Sequence, residues 1–237
     1  MDRGELLYEG KAKQVYRTDD PALLIQHFKD DATAFNAQKR GTIVEKGIVN
    51  NRISEVLFGV LEQHGIATHF VRRLSDRDML VRACQIVKIE VVVRNVIAGS
   101  LATRLGRPEG EVLAEPVLEH YLKDDALGDP LINDWHVRLL RLATPEELAE
   151  INATALRVNG ILREFLDARE IILVDFKLEF GRNAGRLLVA DEIGPDTCRL
   201  WDKSTQRKLD KDRFRRDLGA VEEAYQEAAR RICGIAA

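Results

Sequence analysis

The 237-residue chain carries 36 Lys and Arg residues against 39 Asp and Glu residues, a formal net charge of -3 at pH 7, which gives no general reason to expect nucleic acid as a partner. Its 45% hydrophobic and 32% charged residues are typical of a globular protein and argue against extensive disorder. No apolar run approaches the roughly 20 residues that span a bilayer, and the first residues lack the apolar core of a signal peptide, so we expect no membrane partner and a cytoplasmic location.

The cysteines and histidines form no recognisable metal or redox motif. Cys84, Cys198 and Cys233 are far apart and include no Cys-x-x-Cys pair, so we expect reduced thiols that serve in packing. The five histidines have neither His-Glu-x-x-His nor zinc-finger spacing, which argues against a structural zinc site.

The first predicted elements are three strands within residues 6–28, separated by turns at Gly10 and at residues 19–21. Lys11, Lys13 and Val15 share one face of the second strand, because alternate side chains of a strand point the same way. A glycine lets the backbone approach a ligand, so this hairpin is suited to cover a polyphosphate with its lysines and a flat base with Val15. The Gly-Lys-x-Lys pattern is short and is not a Walker motif, and two solvated lysines are the alternative.

The next segment, residues 31–46, is polar and irregular, which predicts a mobile loop. A helix is predicted from Gly47 onward, because apolar residues from Val49 to Leu61 recur at helical spacing until Gly65 interrupts them. We expect this helix to be structural.

Residues 86–94 predict a half-buried strand whose polar face carries Glu90 and Arg94. A short helix follows, with Ser100 as its expected N-cap and Gly106 past its end. A helix amino terminus that offers a hydroxyl close behind an arginine is suited to bind phosphate. A purely capping role for Ser100 is the alternative.

A long helix is predicted next, because residues 144–147 read Thr-Pro-Glu-Glu, a capping-box pattern with proline at the first helical position. It leads into a strand over residues 171–180 with strictly alternating chemistry. Apolar side chains lie on one face, and Asp175, Lys177 and Glu179 lie on the other. A solvated polar face is the alternative, since antiparallel sheets often expose one side to water.

An antiparallel partner strand is predicted over residues 186–192, after a turn at residues 182–185. A one-residue change in the turn decides whether Asp191 or Glu192 lies beside Glu179, and the pattern leaves this register open. Either way at least three carboxylates converge, which requires a cation or basic groups for neutralisation. Carboxylate oxygens of this kind suit Mg²⁺ held against substrate phosphates.

The last predicted elements are a turn and short strand over residues 194–202 and a single carboxy-terminal helix. Apolar residues from Phe214 to Ile232 recur at intervals of four and three, as expected for a helix packed on the body. Lys211 and Arg215 lie one turn apart near its start, where both can reach an anion.

Together these elements predict an α+β protein with two lobes. We expect residues 1–82 to form a strand-rich lobe that covers ATP, and residues 83–237 to form a larger α+β lobe that binds substrate and metal. The lysine hairpin, the phosphate site and the acidic strand pair indicate an ATP-dependent enzyme with a second anionic substrate. A small-molecule kinase and a non-catalytic nucleotide-binding module are the alternatives.

Several segments resemble the phosphoribosylaminoimidazole-succinocarboxamide synthase family, also called the SAICAR synthetases. They are Tyr-Glu-Gly-Lys-Ala-Lys at residues 8–13, residues 90–100, residues 173–181, Asp-Glu at 191–192, and Arg-Leu-Trp-Asp at 199–202. The resemblance extends almost end to end and implies that family's two-lobed fold, with antiparallel sheets, flanking helices and an ATP site between the lobes. It also implies ligation of L-aspartate to the carboxylate of CAIR with ATP, through an acyl phosphate, in purine biosynthesis.

The resemblance further implies roles for individual residues, with Mg²⁺ as cofactor and ATP as co-substrate. The implied catalytic residues are Lys177, Glu179 and Asp191, with Mg²⁺ on Glu179 and Asp191. The implied ATP contacts are Lys11 and Lys13, beside Val15. The implied substrate contacts are Arg94, Ser100, Asp175, Arg199, Lys211, Arg215 and Lys123. We also expect residues 31–46 to contribute to the aspartate pocket, and the enzyme to form a homodimer.

Overall fold

The computed structural model describes residues 2–34 and 38–234 of the chain. Its strands are β1 (Leu6–Glu9), β2 (Lys13–Arg17), β3 (Leu23–Phe28), β4 (Asp31–Ala34), β5 (Lys39–Thr42), β6 (Phe70–Arg73), β7 (Asp78–Arg82), β8 (Gln85–Val96), β9 (Val112–Leu122), β10 (Leu131–Ile132), β11 (Ile171–Asn183), β12 (Arg186–Ala190) and β13 (Cys198–Asp202). Its α-helices are α1 (Lys46–Gln63), α2 (Gly99–Leu105), α3 (Asp134–Leu139), α4 (Pro145–Asp167), α5 (Asp212–Arg215) and α6 (Val221–Cys233).

Five of the strands before residue 83 form an antiparallel sheet in the order β1-β2-β3-β7-β6. The three predicted amino-terminal strands are confirmed, although β2 begins at Lys13 and leaves Lys11 in the preceding turn. The predicted loop over residues 31–46 is wrong in part, because β4 and β5 pair there as a separate two-stranded hairpin. Residues 35–37 of that segment lie outside the described residues.

The later strands form a six-stranded antiparallel sheet, in which β10-β9-β8-β11-β12 are neighbours and β13 pairs with β11. The long central strand β11 pairs with β8, β12 and β13 along different parts of its length. Helix α4 packs against β8, β9 and β11. Side chains that alternate along β11 therefore face α4 or the opposite side of the sheet.

Two helix starts follow the sequence pattern. Helix α1 begins at Lys46, one residue before the predicted start, and its apolar side chains are buried. Helix α4 has the predicted capping box: the Thr144 hydroxyl accepts from the Glu147 backbone N–H at 3.2 Å, and the Glu147 carboxylate accepts from the Thr144 N–H at 3.0 Å. The capping box is a reliable signal because its side chains satisfy backbone groups that a helix end leaves unpaired.

Two other helix predictions are wrong. The N-cap of α2 is Ala98, so Ser100 lies inside the first turn and makes no side-chain cap. The single carboxy-terminal helix is divided into α5 and α6, because Gly219 and Ala220 have φ angles of 66° and 47°. Positive φ values cannot be accommodated within a right-handed helix, so the chain breaks there despite its helical apolar spacing.

One continuous core joins the two large sheets and the helices. Phe28 and Met79 from the first sheet belong to the same buried apolar cluster as Phe176 and Phe180 from β11. The architecture is the predicted α+β class, with antiparallel sheets flanked by helices. A division of the chain at residue 82 stays a prediction. Among the described residues, no helix is long and apolar enough to cross a membrane.

Candidate active site

A cleft of about 360 Å³ lies over the polar face of the six-stranded sheet, beneath the turn that precedes β2. It contains all of the residues implied for the site except Val15 and Ser100. Its lining residues are Tyr8, Gly10, Lys11, Ala12, Lys13, Glu90, Val92, Arg94, Lys123, Asp125, Asp129, Asp175, Phe176, Lys177, Glu179, Asp191, Glu192, Asp196, Thr197, Cys198, Arg199, Lys211 and Arg215.

The floor of the cleft is the polar face of β11. Asp175 lies opposite Arg94 on β8 and opposite Arg199 on β13, and Glu179 lies opposite Glu90 on β8. Paired residues in antiparallel strands project to the same face, so these side chains converge. Asp175 and Glu179 are each only 3% exposed, which excludes the solvated-face alternative for this strand.

Ammonium groups surround Glu179 at one end of the floor. Lys177 Nζ lies 2.9 Å from Glu179 Oε1 and 2.7 Å from Glu90 Oε1. Lys123 Nζ donates to the same Glu179 oxygen at 2.7 Å. Burial opposes the charge on Lys177, but the surrounding carboxylates more than offset it and raise the pKa of the ammonium well above its usual range.

Lys13 closes this end of the cleft from the opposite sheet. Its ammonium forms ion pairs with Asp191 and Glu192. Burial would raise the pKa of Asp191, but Lys13, Lys177 and Lys123 hold it below its usual range. Burial dominates for Glu192 and raises the pKa of that carboxyl. Thus two adjacent carboxyls with opposite pKa shifts share one lysine.

The structure resolves the register that the sequence left open. Glu179 lies opposite Ala190, and β12 ends there. Asp191 then adopts a φ of 68°, so the chain turns instead of continuing the strand alternation. Both Asp191 and Glu192 reach Lys13 as a result. Pattern analysis could not choose between them because neither position belongs to the strand.

Asp175 is held between two arginines at the other end of the floor. Arg94 Nη1 donates to Asp175 Oδ2 at 2.8 Å, and Arg199 Nη1 donates to Oδ1 and Oδ2 at 3.0 and 2.8 Å. Arg94 also donates to Ser100 Oγ at 3.1 Å. Ser100 is exposed, and its hydroxyl also accepts from Arg104 Nη1 at 3.4 Å. Ser100 is therefore close to Arg94 but does not cap α2, and the phosphate site stays a prediction.

Asp212 is a site residue that the sequence analysis missed. It is 2% exposed, accepts from Arg199 Nε at 2.7 Å and accepts from Arg215 Nη1 at 2.6 Å. It thereby aligns one arginine from β13 with another from α5. The available signal was that Asp212 follows Asp210 by two residues and stands between basic residues. This charged pattern was interpreted as a solvated helical face.

A second missed group is the buried carboxylate of Asp196. It accepts from Lys46 Nζ at 2.9 Å, from Lys211 Nζ at 3.2 Å and from Tyr225 Oη at 2.7 Å. The ammonium groups of Lys211 and Lys46 hold the pKa of Asp196 well below its usual range in spite of burial. Burial lowers the pKa of Lys211, and the nearby positive charges of Lys46 and Arg215 add to the effect.

Substitution of Lys46 by methionine is expected to lower the free energy of unfolding by about 3 kcal/mol, because it removes one partner of a buried ion pair. Lys46 and Asp196 have side chains only 1% and 3% exposed. Urea denaturation measures the effect. Lys203→Met is the control, since Lys203 pairs with Asp167 at the surface and should cost less than about 1 kcal/mol. Equal losses in the two variants would contradict a special contribution of the buried pair.

Lys11 and Val15 lie at the edge of the cleft or outside it. Lys11 is 39% exposed and its ammonium lies 2.7 Å from Asp125 Oδ1, so the pair spans the cleft entrance. Val15 is half-buried and lies opposite Gln26 on β3. Both residues are thus close to Lys13 in the chain, but of the two only Lys11 lines the cleft.

Cys198 lines the cleft and is expected to remain unreactive in the folded protein. Burial raises the pKa of its thiol to about 12. Only about one thiol in ten thousand would then be ionised at pH 8, and the thiolate is the reactive form. Mass spectrometry after brief iodoacetamide treatment should find Cys198 unmodified in native protein and modified in guanidinium chloride. Equal labelling in both conditions would contradict the expectation.

The described residues contain no group of three or more His, Cys, Asp and Glu side chains arranged to hold a metal ion. Glu179 and Asp191 supply two carboxylates at the cleft floor, and each contacts an ammonium group. Such a pair matches the donor set of Mg²⁺, which commonly takes one or two protein carboxylates together with phosphate and water.

Comparisons with known proteins agree over almost the entire chain. A family model described as SAICAR synthetase matches residues 6–232. Relatives named phosphoribosylaminoimidazole-succinocarboxamide synthase from Desulfitobacterium hafniense (strain Y51) and Chlorobium phaeobacteroides are 59% and 58% identical over 232 residues, with 98% of each chain covered.

Solved structures give the same result. A crystal structure of phosphoribosylaminoimidazole-succinocarboxamide synthase from Ehrlichia chaffeensis has a TM-score of 0.95 and 46% identity, and covers 98% of this chain and 100% of its own. A SAICAR synthetase (Type-2) in complex with ADP has a TM-score of 0.95 and 48% identity, and covers 98% of this chain and 99% of its own.

Proposed function

This chain belongs to the SAICAR synthetase family, and from that membership we propose how its cleft carries out the family's reaction. The enzyme is a carbon-nitrogen ligase of purine biosynthesis. It joins L-aspartate to the carboxylate of 5-amino-1-(5-phospho-D-ribosyl)imidazole-4-carboxylate (CAIR), with conversion of ATP to ADP and phosphate. The observation that carries the proposed residue roles is the buried polar face of β11, where lysines surround one end and arginines the other.

We infer two chemical steps through an acyl phosphate. A carboxylate oxygen of CAIR attacks the γ-phosphorus of ATP, the bond from that phosphorus to the β,γ-bridging oxygen breaks, and ADP leaves. The amine of L-aspartate then attacks the acyl carbon; a C–N bond forms, the C–O bond to phosphate breaks, and the amine loses a proton. Negative charge is redistributed over phosphoryl oxygens, so fixed cations supply most of the stabilisation.

The lysine-rich end is proposed to bind the ATP phosphates. Lys13 and Lys177 converge on Asp191 from two different sheets, and Lys123 approaches from the side through Glu179. Lysines held in this way can exchange a carboxylate partner for a phosphate oxygen without large side-chain movements. Lys11, at the exposed entrance, is proposed to contact the same phosphates, with Val15 near the base.

The arginine-rich end is proposed to bind CAIR. Arg94, Arg199 and Ser100 would hold the ribotide phosphate, because guanidinium groups bind phosphate in a planar two-point geometry. Lys211 and Arg215 would face the ribose and the imidazole carboxylate. Asp175 holds both arginines in place and would also face the ribose. This order along β11 brings the CAIR carboxylate toward Lys177, beside the ATP end.

Mg²⁺ is proposed to bind Glu179 and Asp191. Both are carboxylates on the cleft floor, next to the lysines assigned to phosphate. When bound, the ion would neutralise phosphate charge.

The remaining proposals are the division at residue 82 with ATP beneath the first lobe, a cytoplasmic location, a homodimer, and an aspartate contact from the β4–β5 hairpin.

The decisive assay measures ADP release from purified enzyme with ATP, Mg²⁺ and CAIR, with and without L-aspartate. The ligase should show sustained ADP release and SAICAR formation only when all substrates are present. Sustained aspartate-independent turnover would favour the kinase alternative. Nucleotide binding with no turnover under any condition would favour the binding module.

A further inference from the structure

Asp191 reaches the cleft through an unfavourable backbone conformation. β12 ends at Ala190, which lies opposite Glu179, so a continued strand would turn Asp191 away from the face that carries Glu179. Asp191 instead has a φ of 68°, in the left-handed region that residues other than glycine seldom adopt. The resulting turn directs its carboxylate to Lys13 and places it 3.8 Å from Lys177 Nζ.

Two buried side chains from the first sheet and its neighbouring segment hold the carbonyl oxygen of Asp191. His69 Nε2 donates to it at 3.1 Å, and Gln26 Nε2 donates to it at 3.3 Å. Each side chain is 4% exposed. A carbonyl oxygen only accepts hydrogen bonds, so this contact places a proton on Nε2 of the imidazole. The two donors stabilise a conformation that the backbone alone would not favour.

The imidazole of His69 is itself fixed by its surroundings. The His69 backbone N–H donates to the carbonyl of Val189 at 2.9 Å, and the His69 carbonyl accepts from the Arg82 N–H at 2.7 Å. Its ring packs edge-on against Phe58, with centroids 5.4 Å apart. His69 is thus attached to the strand that Asp191 terminates, and movement of one would displace the other.

We propose that His69 and Gln26 are positioning residues that hold Asp191 in its left-handed conformation and so direct its carboxylate toward Mg²⁺ and the ATP phosphates. The inference rests on the proposed function, which assigns Asp191 to that end of the cleft. Neither side chain lines the cleft, and both act through a backbone carbonyl. Substitution of a residue that orients a metal ligand typically lowers metal affinity by about 10- to 100-fold.

The test compares ADP affinity with and without Mg²⁺ by isothermal titration calorimetry, which needs no turnover. In the wild type, Mg²⁺ should strengthen ADP binding. His69→Phe keeps an aromatic ring but removes the donor, and should reduce this Mg²⁺-dependent gain by about 10- to 100-fold. His69→Gln restores an amide donor and should recover part of the gain. Gln26→Met should cause a smaller loss of the same kind.

His120→Phe is the matched control. His120 is also buried, donates from Nε2 to Asn152 Oδ1 of α4 at 2.7 Å, and lies on the opposite face of the six-stranded sheet. It should lower the melting temperature without changing the Mg²⁺-dependent gain. A folded His69→Phe variant with the wild-type gain would overturn the proposal. If that variant does not fold, Gln26→Met decides: a reduced gain supports the proposal and an unchanged gain overturns it.

Asp191→Asn separates this inference from the function on which it rests. Suppose that Asp191→Asn loses the Mg²⁺-dependent gain in ADP affinity while His69→Phe and Gln26→Met keep it. This result would overturn the positioning role of His69 and Gln26 but not the assignment of Asp191 to Mg²⁺. An unchanged gain in Asp191→Asn would overturn the assignment of Asp191 to the metal, and with it the reason for a positioning role.

Discussion

Glu179→Gln is expected to lower kcat by about 10²- to 10³-fold, because it removes a buried carboxylate from the position proposed for Mg²⁺ and phosphoryl transfer. Glu179 Oε1 accepts from both Lys177 and Lys123, and Glu179 is also one of the two carboxylates proposed for Mg²⁺. Glutamine preserves the shape of the side chain but carries no charge, so the cleft should be intact while its cations lose their common partner. Steady-state ADP release at saturating substrates measures the effect.

The control for this variant is Glu147→Gln. Glu147 pairs with Arg182 farther along β11, with Oε1 2.6 Å from Nε, and does not line the cleft. Its substitution should affect stability modestly and leave kcat unchanged. Circular dichroism establishes that both variants fold. Wild-type kcat in a folded Glu179→Gln enzyme, at every Mg²⁺ concentration tested, would remove Glu179 from the proposed catalytic and metal-binding residues.

Arg199→Ala is expected to raise the KM for CAIR by about 10- to 100-fold, in line with the roughly 1.5–3 kcal/mol of a hydrogen bond to a charged group. Arg199 joins Asp175 of the floor to Asp212 of α5, and its side chain is 18% exposed and lines the cleft. The nearby carboxylates raise its pKa against the effect of burial, so it stays charged throughout the working pH range. The KM for ATP should change much less, because the lysine-rich end keeps its contacts.

Arg213→Ala provides the matched control, on the short helix α5 that Arg199 contacts through Asp212. Arg213 donates to the carbonyls of Gly219 and Leu218 at 2.7 and 3.0 Å and does not line the cleft. Both KM values should remain near those of the wild type. Equal increases of the CAIR and ATP KM values in Arg199→Ala would contradict a role at the ribotide phosphate.

The sequence was most informative where one local rule decides the structure. Alternation along residues 171–180 predicted which side chains share the cleft floor, because successive residues of a strand face opposite ways regardless of distant contacts. The capping box at residues 144–147 predicted the start of α4 for a similar reason. The resemblance then added the assignment of individual residues to ATP, metal and CAIR.

Predictions failed where backbone geometry overrides a periodic pattern. The positive φ values at Gly219 and Ala220 divide the apolar stripe from Phe214 to Ile232, and the positive φ at Asp191 ends the alternation of β12. Glycine gives the strongest sequence signal for such a conformation, and neither Asp191 nor Ala220 is a glycine. The β4–β5 hairpin was missed because Lys39–Thr42 reads Lys-Arg-Gly-Thr, without an apolar alternation.

Buried polar partners were the other gap. Asp196 and Asp212 are contacted by cations from three segments of the chain, which contain Lys46, Arg199 and residues 211–215. Nothing in a linear sequence brings these segments together. Their polarity suggested a solvated surface, whereas the fold encloses them because each carboxylate has charged partners.

Every lysine and arginine that lines the cleft already has a carboxylate within ion-pair distance. These carboxylates act as built-in competitors for any incoming anion, so binding exchanges one counter-ion for another. A small anion that reaches a single cation gains little from such an exchange, whereas a triphosphate or a phosphorylated carboxylate displaces several competitors at once. Selectivity for multiply charged substrates over the chloride, sulfate and free phosphate of the cell can thus arise from the protein's own acidic side chains.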